Sequence, residues 1–332
     1  MGTPAGGSLV GRGYVERANV ISGAALNTNG QTTFSKEFPM GEGWYKALLR
    51  FNNVFVVGTG TTPIAEGEQL IIKGVLLRTD RGEILCNLPG RALFKMAHYR
   101  NEAAPRSDAI AAASATYRTT LPIYFADEFM LRPEDTILDT SRYNSITLQI
   151  TMGTTADLLG TPGTSTATYT FDCDIERSLG ALPDAAKPMF HVNYDYRNPV
   201  DANTTTIIDL ERSTDMSIKR LFVWAGTSGT GGIPCSGVAS DAIQNVVNLK
   251  DQNRFIEMNR VHAMIQDQNI MDQGLAAKIT GLEVFEFVRD RSIAAALATG
   301  SKSVLQYAWT NQGGVGANSI VTAFAEMIRT LK

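Results

Sequence analysis

The chain has 332 residues, which is long for one domain and sufficient for two domains of about 150 residues each. Hydrophobic residues make up 44% of it, enough to give each half a core, while charged residues make up 19% and the formal net charge is −3. This balance excludes the strongly basic surface with which many proteins bind nucleic acid, and we predict no specific nucleic-acid site.

Cysteine usage and the lack of long apolar runs indicate a protein that folds in a reducing cytoplasm. The three cysteines, Cys86, Cys173 and Cys235, are odd in number and form no CxxC pair, so we predict buried free thiols rather than a disulfide framework. No apolar run approaches the roughly 18 residues of a membrane-spanning helix. The N-terminus has no apolar signal core, and Gly6 stands where a myristoylation motif requires Ser or Thr.

The chain begins with a polar segment and continues with short β-type runs. Residues 1–30 are rich in Gly, Ala, Asn and Thr and are predicted to form an arm without a core of its own. The runs "TTFSKEF", "YKALLRFNNVFVVG" and "QLIIKGVLLRTD" follow, each bounded by turn residues. The segment "NLPGRALFKMAHYRNE" is predicted to be a helix, because Pro89 suits its first turn and Leu93, Met96 and Ala97 share one face.

Three more strand runs complete this half: "TYRTTLPIYFAD", "SITLQITMG" and "ATYTFDCDIE". The segment that follows has turn and breaker residues and no alternation, and we predict a linker at Ala181–Pro188. We therefore expect one β-sandwich over residues 31–182 and a second over residues 183–332, with no sheet running across the boundary.

The order of these segments is repeated after the linker, which indicates a duplicated β domain. "LFVWAGTSGT" matches "VFVVGTGTT" with Phe222 lying 167 positions after Phe55, and "VVNLKDQNRFI" matches "GVLLRTDRGEI" with Asp251 lying 171 positions after Asp80. The remaining matches are "TTTIIDLER" with "TTFSKEF", "NRVHAMIQDQNIMDQ" with "GRALFKMAHYRNE", "GLEVFEFV" with "LPIYFADEF", "SVLQYAWTN" with "ITLQITMG" and "NSIVTAFAEMI" with "TYTFDCDIE". A long-period repeat takes precedence over any local motif.

Two local patterns could suggest an enzyme and neither fits. Gly58 and Gly60 follow a strand, but Thr61–Pro63 comes next, without the Lys and helix start that a phosphate loop needs. No GxSxG sequence occurs, so the strained turn of a serine nucleophile is absent. We predict a non-enzyme with no catalytic residue and no cofactor-binding residue.

The histidines His98, His191 and His262 lie far apart in sequence, without HxH or HExxH spacing. Zinc sites usually have ligands close together in sequence, so we interpret these residues as structural and predict no metal site. The tryptophans lie in or beside strand runs, where packing in a core or an interface is expected: Trp44, Trp224 and Trp309.

Two acidic segments leave an alternative open. Asp172, Asp174 and Glu176 share one face of a strand, where they could bind calcium or carry out acid–base chemistry, although a solvated strand face explains the pattern equally well. The second segment, "RPEDTILDT", lacks the fixed Gly of an EF-hand loop and is predicted to order a loop. It contains Glu134, Asp135 and Asp139.

With this organisation, the chain resembles the double jelly-roll major capsid proteins of tailless icosahedral bacteriophages with an internal membrane, the lineage that includes adenovirus hexon. The resemblance covers roughly residues 30–332. It rests on tandem organisation, size and phrases such as "LPIYFADEFMLRPEDTILDTSRYNSITLQITMG" rather than on a short diagnostic motif.

The resemblance implies an all-β protein of two tandem eight-stranded jelly rolls with short helices in the loops. It implies a homotrimer with a near-hexagonal outline, since three chains supply six similar domains, and a virion location after synthesis in the host cytoplasm. The implied partners are neighbouring trimers, penton and minor capsid proteins, and an internal viral membrane.

The two ends of the chain are slightly basic although the whole chain is acidic. The N-terminal arm has two basic residues, Arg12 and Arg17, and one acidic residue, Glu16, while Arg329 and Lys332 lie at the C-terminus. Basic residues are attracted to anionic lipid, so we predict that both ends face the inside of the shell.

Two alternatives remain open from the sequence. Tandem jelly rolls also form exported glycan-cleaving amidases of the peptide-N-glycanase type, which place acidic residues between the two domains. They could equally form a pair of carbohydrate-binding modules, which would need aromatic residues exposed on loops.

Overall fold

The structure of the chain, a computed structural model, describes most of the sequence between Val15 and Arg329. The described residues are 15–101, 104–127, 136–161, 163–178, 188–197, 201–210, 215–227, 234–251, 254–288, 296–299, 304–313, 315–316 and 318–329. In this part of the chain, no helix combines the length and the apolar character needed to cross a membrane.

Strands dominate the first half of the chain, which we define as the described residues up to Ser178. They are β1 (Val15–Ala25), β2 (Gln31–Phe34), β3 (Gly43–Val56), β4 (Thr62–Pro63), β5 (Ile72–Thr79), β6 (Ile84–Leu88), β7 (Ala115–Tyr124), β8 (Leu138–Asp139), β9 (Ile146–Met152), β10 (Leu159–Thr161) and β11 (Thr166–Ser178).

The second half, from Pro188 onwards, is built in the same way. Its strands are β12 (Met189–Arg197), β13 (Thr205–Asp209), β14 (Met216–Thr227), β15 (Val238–Ala239), β16 (Gln244–Asp251), β17 (Arg254–Val261), β18 (Leu282–Glu286), β19 (Leu297–Ala298), β20 (Leu305–Asn311) and β21 (Ile320–Arg329).

Helices are few and lie in the loops between strands. They are α1 (Gly67–Leu70), α2 (Gly90–Arg100), α3 (Thr155–Leu158) and α4 (His262–Gln273), with a 3₁₀ turn at Thr140–Arg142. Both longer helices occupy segments that the sequence predicts to be helical, and α4 ends at Gly274, whose left-handed conformation (φ 66°) suits a glycine C-cap.

Each half consists of two four-stranded sheets with the same strand order. In the first half these are sheet I (β1–β11–β3–β7) and sheet II (β6–β5–β9–β2), and in the second half they are sheet III (β12–β21–β14–β18) and sheet IV (β17–β16–β20–β13). Every strand pair matched by sequence therefore occupies the same place in its half. The two halves are two eight-stranded jelly rolls with short helices in the loops, so the predicted fold class is confirmed.

The core of each half lies between its two sheets. In the first half, Phe34 of sheet II stacks on Phe171 of sheet I with ring centroids 5.3 Å apart. In the second half, Phe285 of sheet III and Tyr307 of sheet IV pack in a T-shaped arrangement with ring centroids 5.9 Å apart. Aromatic pairs at this separation stabilise the sandwich beyond the area they bury.

The expectation that no sheet crosses the boundary between the halves is wrong. β6 and β12 pair in parallel through His191 with Cys86 and Val192 with Asn87, which joins sheets II and III. With the short strands β15 and β19, which pair with β14, the joined sheet has ten strands. An unpaired edge strand exposes backbone donors and acceptors, and this short ladder covers two such edges at once.

The predicted N-terminal arm also differs from the structure. Val15–Ala25 is not an arm without a core but strand β1, which pairs antiparallel with β11 along sheet I, and Ile21 is buried. A strand with few large apolar residues can be ordered when an existing sheet supplies the backbone partners, and the local composition does not report this.

The predicted linker lies almost entirely outside the described residues, which resume at Pro188. Strand β11 ends at Ser178 and β12 begins at Met189. The division into residues 31–182 and 183–332 stays a prediction.

Candidate functional site

The carboxylates predicted to share one face of β11 lie together on the outer face of sheet I. Asp172 accepts hydrogen bonds from Asn52 Nδ2 (2.9 Å) and from the backbone N–H of Gly23 (2.8 Å). Asp174 pairs with the guanidinium group of Arg50 at 2.7 Å. These partners come from neighbouring strands of the same sheet.

The third carboxylate of the row, Glu176, lies between Arg17 (2.6 Å) and Lys46 (3.1 Å). Asp174 and Glu176 are thus paired with bases of sheet I, whereas Asp172 is held by hydrogen bonds from neutral groups of the same sheet. In the described part of the chain, no group of three or more His, Cys, Asp or Glu residues is placed to hold a metal ion. The geometry favours an ion-paired strand face over a calcium site.

The second acidic segment orders a turn. Asp139 accepts a hydrogen bond from the backbone N–H of Ser141 (3.0 Å) and pairs with Arg142 (3.0 Å), so it caps the 3₁₀ turn. Glu134 and Asp135 lie outside the described residues.

Two of the histidines have ordinary structural surroundings. His98 lies in α2 against the ring of Phe94, and Nε2 of the buried His191 lies 2.7 Å from the backbone oxygen of Tyr124. Burial lowers the pKa of both imidazoles.

The tryptophans and cysteines that the sequence analysis expected to be buried are buried: Trp44, Trp224, Trp309, Cys86, Cys173 and Cys235.

The third histidine belongs to a buried polar cluster at the start of α4. His262 Nδ1 bonds to Glu283, its Nε2 lies 3.4 Å from Asp241, and Tyr307 donates to the other oxygen of Glu283 at 2.5 Å. Burial alone would lower the pKa of His262, but the hydrogen bonds to the two carboxylates outweigh it and raise the pKa to about 9. The cluster ties α4 to β18 and β20 and opposes a metal-ligand role for this histidine.

The first half has a buried carboxyl in its own core. Glu68 of α1 accepts hydrogen bonds from Asn53 Nδ2 (2.6 Å) and from the hydroxyl of Tyr169 (2.9 Å). Burial raises the pKa of Glu68 to about 7, and the two hydrogen bonds only partly oppose this shift. Its surroundings are those of a satisfied core group.

The most extensive charged cluster lies between the two halves. Arg100, at the end of α2, pairs with Asp127 (2.8 Å) and with Glu326 of β21 (3.3 Å). On β14, Arg220 pairs with Glu326 (2.8 Å), and Lys219 pairs with Asp127. The first half thus supplies an arginine and an aspartate to a network that continues into the second half.

This network is buried and electrically balanced. With Glu286, which pairs with Arg220, it contains three acidic and three basic side chains, all almost inaccessible to solvent. Burial would raise the pKa of Glu326, but Arg100, Arg220 and Lys219 outweigh it and hold the pKa far below its usual range. A buried charge of this kind is tolerated only while its partners stay in place, so the network fixes one arrangement of the two rolls.

The helix α2 lies against the face of sheet III that points away from the second half's own core. The rings of Tyr99 and Phe222 are perpendicular with centroids 5.8 Å apart, and the Arg91 guanidinium lies 5.3 Å from the centre of the Trp224 ring. Arg91 also donates to the backbone oxygen of Cys235 at 3.0 Å. Aromatic, cation–π and ionic contacts together join the halves along the whole helix.

The sequence analysis did not find this contact between the halves. Its signal is present in the sequence, because Lys219 and Arg220 interrupt the apolar run of β14 and Glu326 interrupts that of β21. A charge within an apolar strand is expected to be paired. Its partner cannot be identified locally, since Arg100 lies 226 positions before Glu326.

Comparison by sequence finds no relative: no family model matches the chain, and no curated protein matches it. Comparison by structure does. The major capsid protein of Sulfolobus Turreted Icosahedral Virus is similar with a TM-score of 0.71 at 14% identity, covering 95% of this chain and 97% of that one. The major capsid protein P2 of bacteriophage PM2 has a TM-score of 0.63 at 13% identity, covering 96% and 98%.

The Faustovirus major capsid protein is also similar, with a TM-score of 0.59 at 8% identity, covering 97% of this chain and 92% of that one. The matched proteins share one architecture with this chain over nearly their whole length. At such low identity the likeness concerns the fold. The chain has the double jelly-roll fold of these viral major capsid proteins, as the sequence resemblance indicated.

Proposed function

We propose that this chain is a viral major capsid protein that assembles as a homotrimer and tiles an icosahedral shell in the virion. The observation that carries the proposal is the duplication: both halves have the same strand order, in a fold that is similar to major capsid proteins along nearly its whole length. Three such chains supply six similar blocks around a threefold axis. A near-hexagonal unit of this kind can pack against copies of itself.

The contact between the halves supports this role. In a building block with a hexagonal outline, the two jelly rolls of each chain must keep a constant relative orientation. The buried, balanced ion network between the halves would maintain that orientation. The charged groups of the described clusters at Glu68, His262 and Glu326 have hydrogen-bond or ion-pair partners within the chain, which is the pattern of a scaffold. Function then depends on surfaces rather than on a catalytic site, as in obligate assemblies with large interfaces.

We extend the proposal to the partners of a shell: neighbouring trimers, penton and minor capsid proteins, and an internal membrane reached by the basic chain ends. Arg17 lies in β1, where it pairs with Glu176, and Arg329 is the last residue of β21. Arg12 and Lys332 lie outside the described residues, so the sequence alone supports the contact of the ends with a membrane. Deleting residues 1–14 leaves β1 whole. It should spare the trimer and impair the formation of closed particles, as counted by negative-stain electron microscopy.

The proposal is tested by the mass of the purified protein in solution. Light scattering after size exclusion should give three times 35.9 kDa, and negative-stain images should show hexagonal plates or shells. A stable monomer that releases glycans would favour the amidase alternative. A monomer that binds glycans without cleaving them would favour the carbohydrate-binding alternative.

A further inference from the structure

The elements that form the contact between the halves have equivalents elsewhere in the duplicated fold, and among the described residues these equivalents make no such contact within one chain. Within the chain, the first half presents α2 and the edge strand β6 to the second half. There, α2 covers the outer face of sheet III and β6 pairs with β12. The matching elements are α4 and β17 in the second half, and the matching receiving surface is the outer face of sheet I with the edge of β1.

The presenting elements of the second half are exposed and apolar. Met264 and Met271 on α4 are 60% and 76% exposed, and Phe255 and Met258 on β17 are exposed as well. Met271 is the tenth residue of α4, as Tyr99, which packs on Phe222, is the tenth residue of α2. Among the described residues, the outer edge of β17 has no strand partner. Such a patch on a soluble domain marks an interaction surface.

A groove beside α4 points to the same surface. In the first half, Met189 and Ile328 of the second half pack against Ala97 of α2 and Tyr124 of β7, at the junction of that helix with its sheet. At the corresponding junction of the second half, a groove of about 360 Å³ opens between β17, α4 and β18. Its lining includes Asn269, the eighth residue of α4, as Ala97 is the eighth of α2.

The receiving surface has the matching order of side chains along its central strand. On β14, Trp224 and Phe222 contact α2, and Arg220 follows on the same face, where it lies opposite Glu326 of β21, the partner of Arg100. On β3, the outward positions run from the exposed Val54 to Arg50, and Arg50 lies opposite an acidic residue of β11. An apolar end and a basic end therefore follow each other in the same direction on sheet I.

The equivalent helices α2 and α4 have side chains of opposite charge at equivalent positions. At the sixth and eleventh positions, α2 has Lys95 and Arg100, whereas α4 has the exposed Asp267 and Asp272. Arg100 meets the carboxylate of Glu326 on sheet III, while Arg17 on sheet I pairs with Glu176 and still keeps 78% of its side chain exposed. The acidic helix thus corresponds to a face whose most accessible charge, among its described ion-paired side chains, is the base Arg17, and opposite charges at matching places favour one register of docking.

We propose that α4 and β17 of one copy dock on sheet I of a second copy of this chain, with β17 beside β1, and so repeat between copies the contact that α2 and β6 make within one copy. This inference rests on the proposed homotrimer and specifies its interface. In a closed ring of three chains, every presenting surface then meets a receiving surface, and the β1 and β17 edges are covered.

The test is the double variant Met264→Glu/Met271→Glu of the full chain, with Ile207→Glu as the matched control. Ile207 is an exposed apolar residue on β13, at the opposite edge of sheet IV from β17. We expect the double variant to raise the concentration needed for trimer assembly by about tenfold or more, because carboxylates would be buried without partners. The control should match the wild type. All three proteins should have the same thermal unfolding profile as monomers, since these side chains are exposed there.

Hydrogen exchange of the wild-type protein gives a second, independent readout. The amides of β1 and β17 should exchange at least about tenfold more slowly in the trimer than in the monomeric double variant, because pairing protects edge amides. If the double variant forms trimers as readily as the wild type, or if β1 and β17 are not protected in the wild-type trimer, this interface is wrong and the proposed trimer is unaffected. A wild-type protein that stays monomeric would overturn both.

Discussion

The outer faces of sheets I and III show one fold adapted to two environments. Sheet III lies beneath α2, and its strand β14 is buried on both faces from Ser217 to Gly226. Sheet I has no such cover from the described residues, and along β3 buried and more exposed positions alternate from Tyr45 to Val56. The same position in the duplicated fold has a continuous buried run in one half and an alternating pattern in the other.

This difference teaches that the neighbour of a sheet, rather than the sheet itself, determines the chemistry of its outer face. Charges on sheet I pair near the surface, where an exposed ion pair contributes little to stability. Charges on sheet III are enclosed by α2, where an unpaired charge is very costly. Equivalent substitutions in the two sheets should therefore have very different effects.

The largest expected effect is that of Glu326→Gln in the buried network. Removing this charge leaves Arg100, Lys219 and Arg220 with too little negative charge around them. We expect the free energy of unfolding to fall by about 3–5 kcal/mol, the usual cost of breaking a buried ion pair. Denaturant unfolding of the purified protein measures this change.

The matched control is Glu176→Gln, which removes a glutamate from sheet I that also has two basic partners, Arg17 and Lys46. Arg17 is largely exposed and water can reach this pair, so we expect a loss of about 1 kcal/mol, well below that of Glu326→Gln. If the two substitutions cost the same, the proposed contrast between the sheets does not hold.

A second prediction concerns pH and separates the two halves by their buried groups. The folded pKa of Glu68 in the first half is raised from 4.5 to about 7, so the folded state holds this proton more tightly than the unfolded state. The resulting stabilisation is complete below pH 4.5 and is lost as the pH rises through 7. At about 1.4 kcal/mol per pKa unit, the loss is at most about 3 kcal/mol. Glu68→Gln should remove this pH dependence in denaturant titrations at pH 5 and pH 8.

In the second half the corresponding window lies higher. The pKa of His262 is raised from 6.5 to about 9, so its contribution is complete below pH 6.5 and is lost as the pH rises through 9. His262→Gln should flatten the stability between pH 7 and pH 10 and leave the change between pH 5 and pH 7 intact. A variant that alters both windows equally would show that the two groups do not titrate independently.

The smallest effect is expected from the carboxylates of sheet I. The triple variant Asp172→Asn, Asp174→Asn and Glu176→Gln should retain the fold with a loss that averages about 0.5 kcal/mol or less per site, as is usual for surface substitutions. Elemental analysis of the wild type and the variant should show the same metal content. A metal present in the wild type and lost in the variant would identify a calcium site in place of an ion-paired strand face.

The sequence identified the paired strands of the two halves but not their registers. Phe55 points into the core of the first half, 6.0 Å from Tyr117, whereas Phe222, matched to it in sequence, points at α2. Successive side chains of a strand point to opposite faces of its sheet, and these two phenylalanines point to opposite faces. The structural offset between β3 and β14 therefore differs from 167 by an odd number of residues. For β5 and β16, the buried positions of the two strands match when Leu77 is aligned with Leu249. The structural offset between these strands is therefore 172 positions, whereas the sequence match gave 171.

The carboxylate row illustrates what local patterns report about a site. Its alternation with Phe171, Cys173 and Ile175 predicted one strand face, and the structure has that face. The strand β1 was missed because its order depends on pairing with β11, which lies some 150 residues away in sequence. The pairing of β6 with β12 was missed for the same reason.

By itself, the sequence determined the all-β character, the duplicated strand order and the two longer helices, because strand-type and helical patterns of apolar residues are local, while the jelly-roll topology came from the family resemblance. Only the tertiary structure decided that α2 covers sheet III, that Arg100 meets Glu326, and that α4 keeps two methionines exposed. The physical reason is that a charged or apolar side chain has the same local pattern whether water, another strand or another copy of the chain lies beside it. Its partner is known only when distant parts of the chain come together.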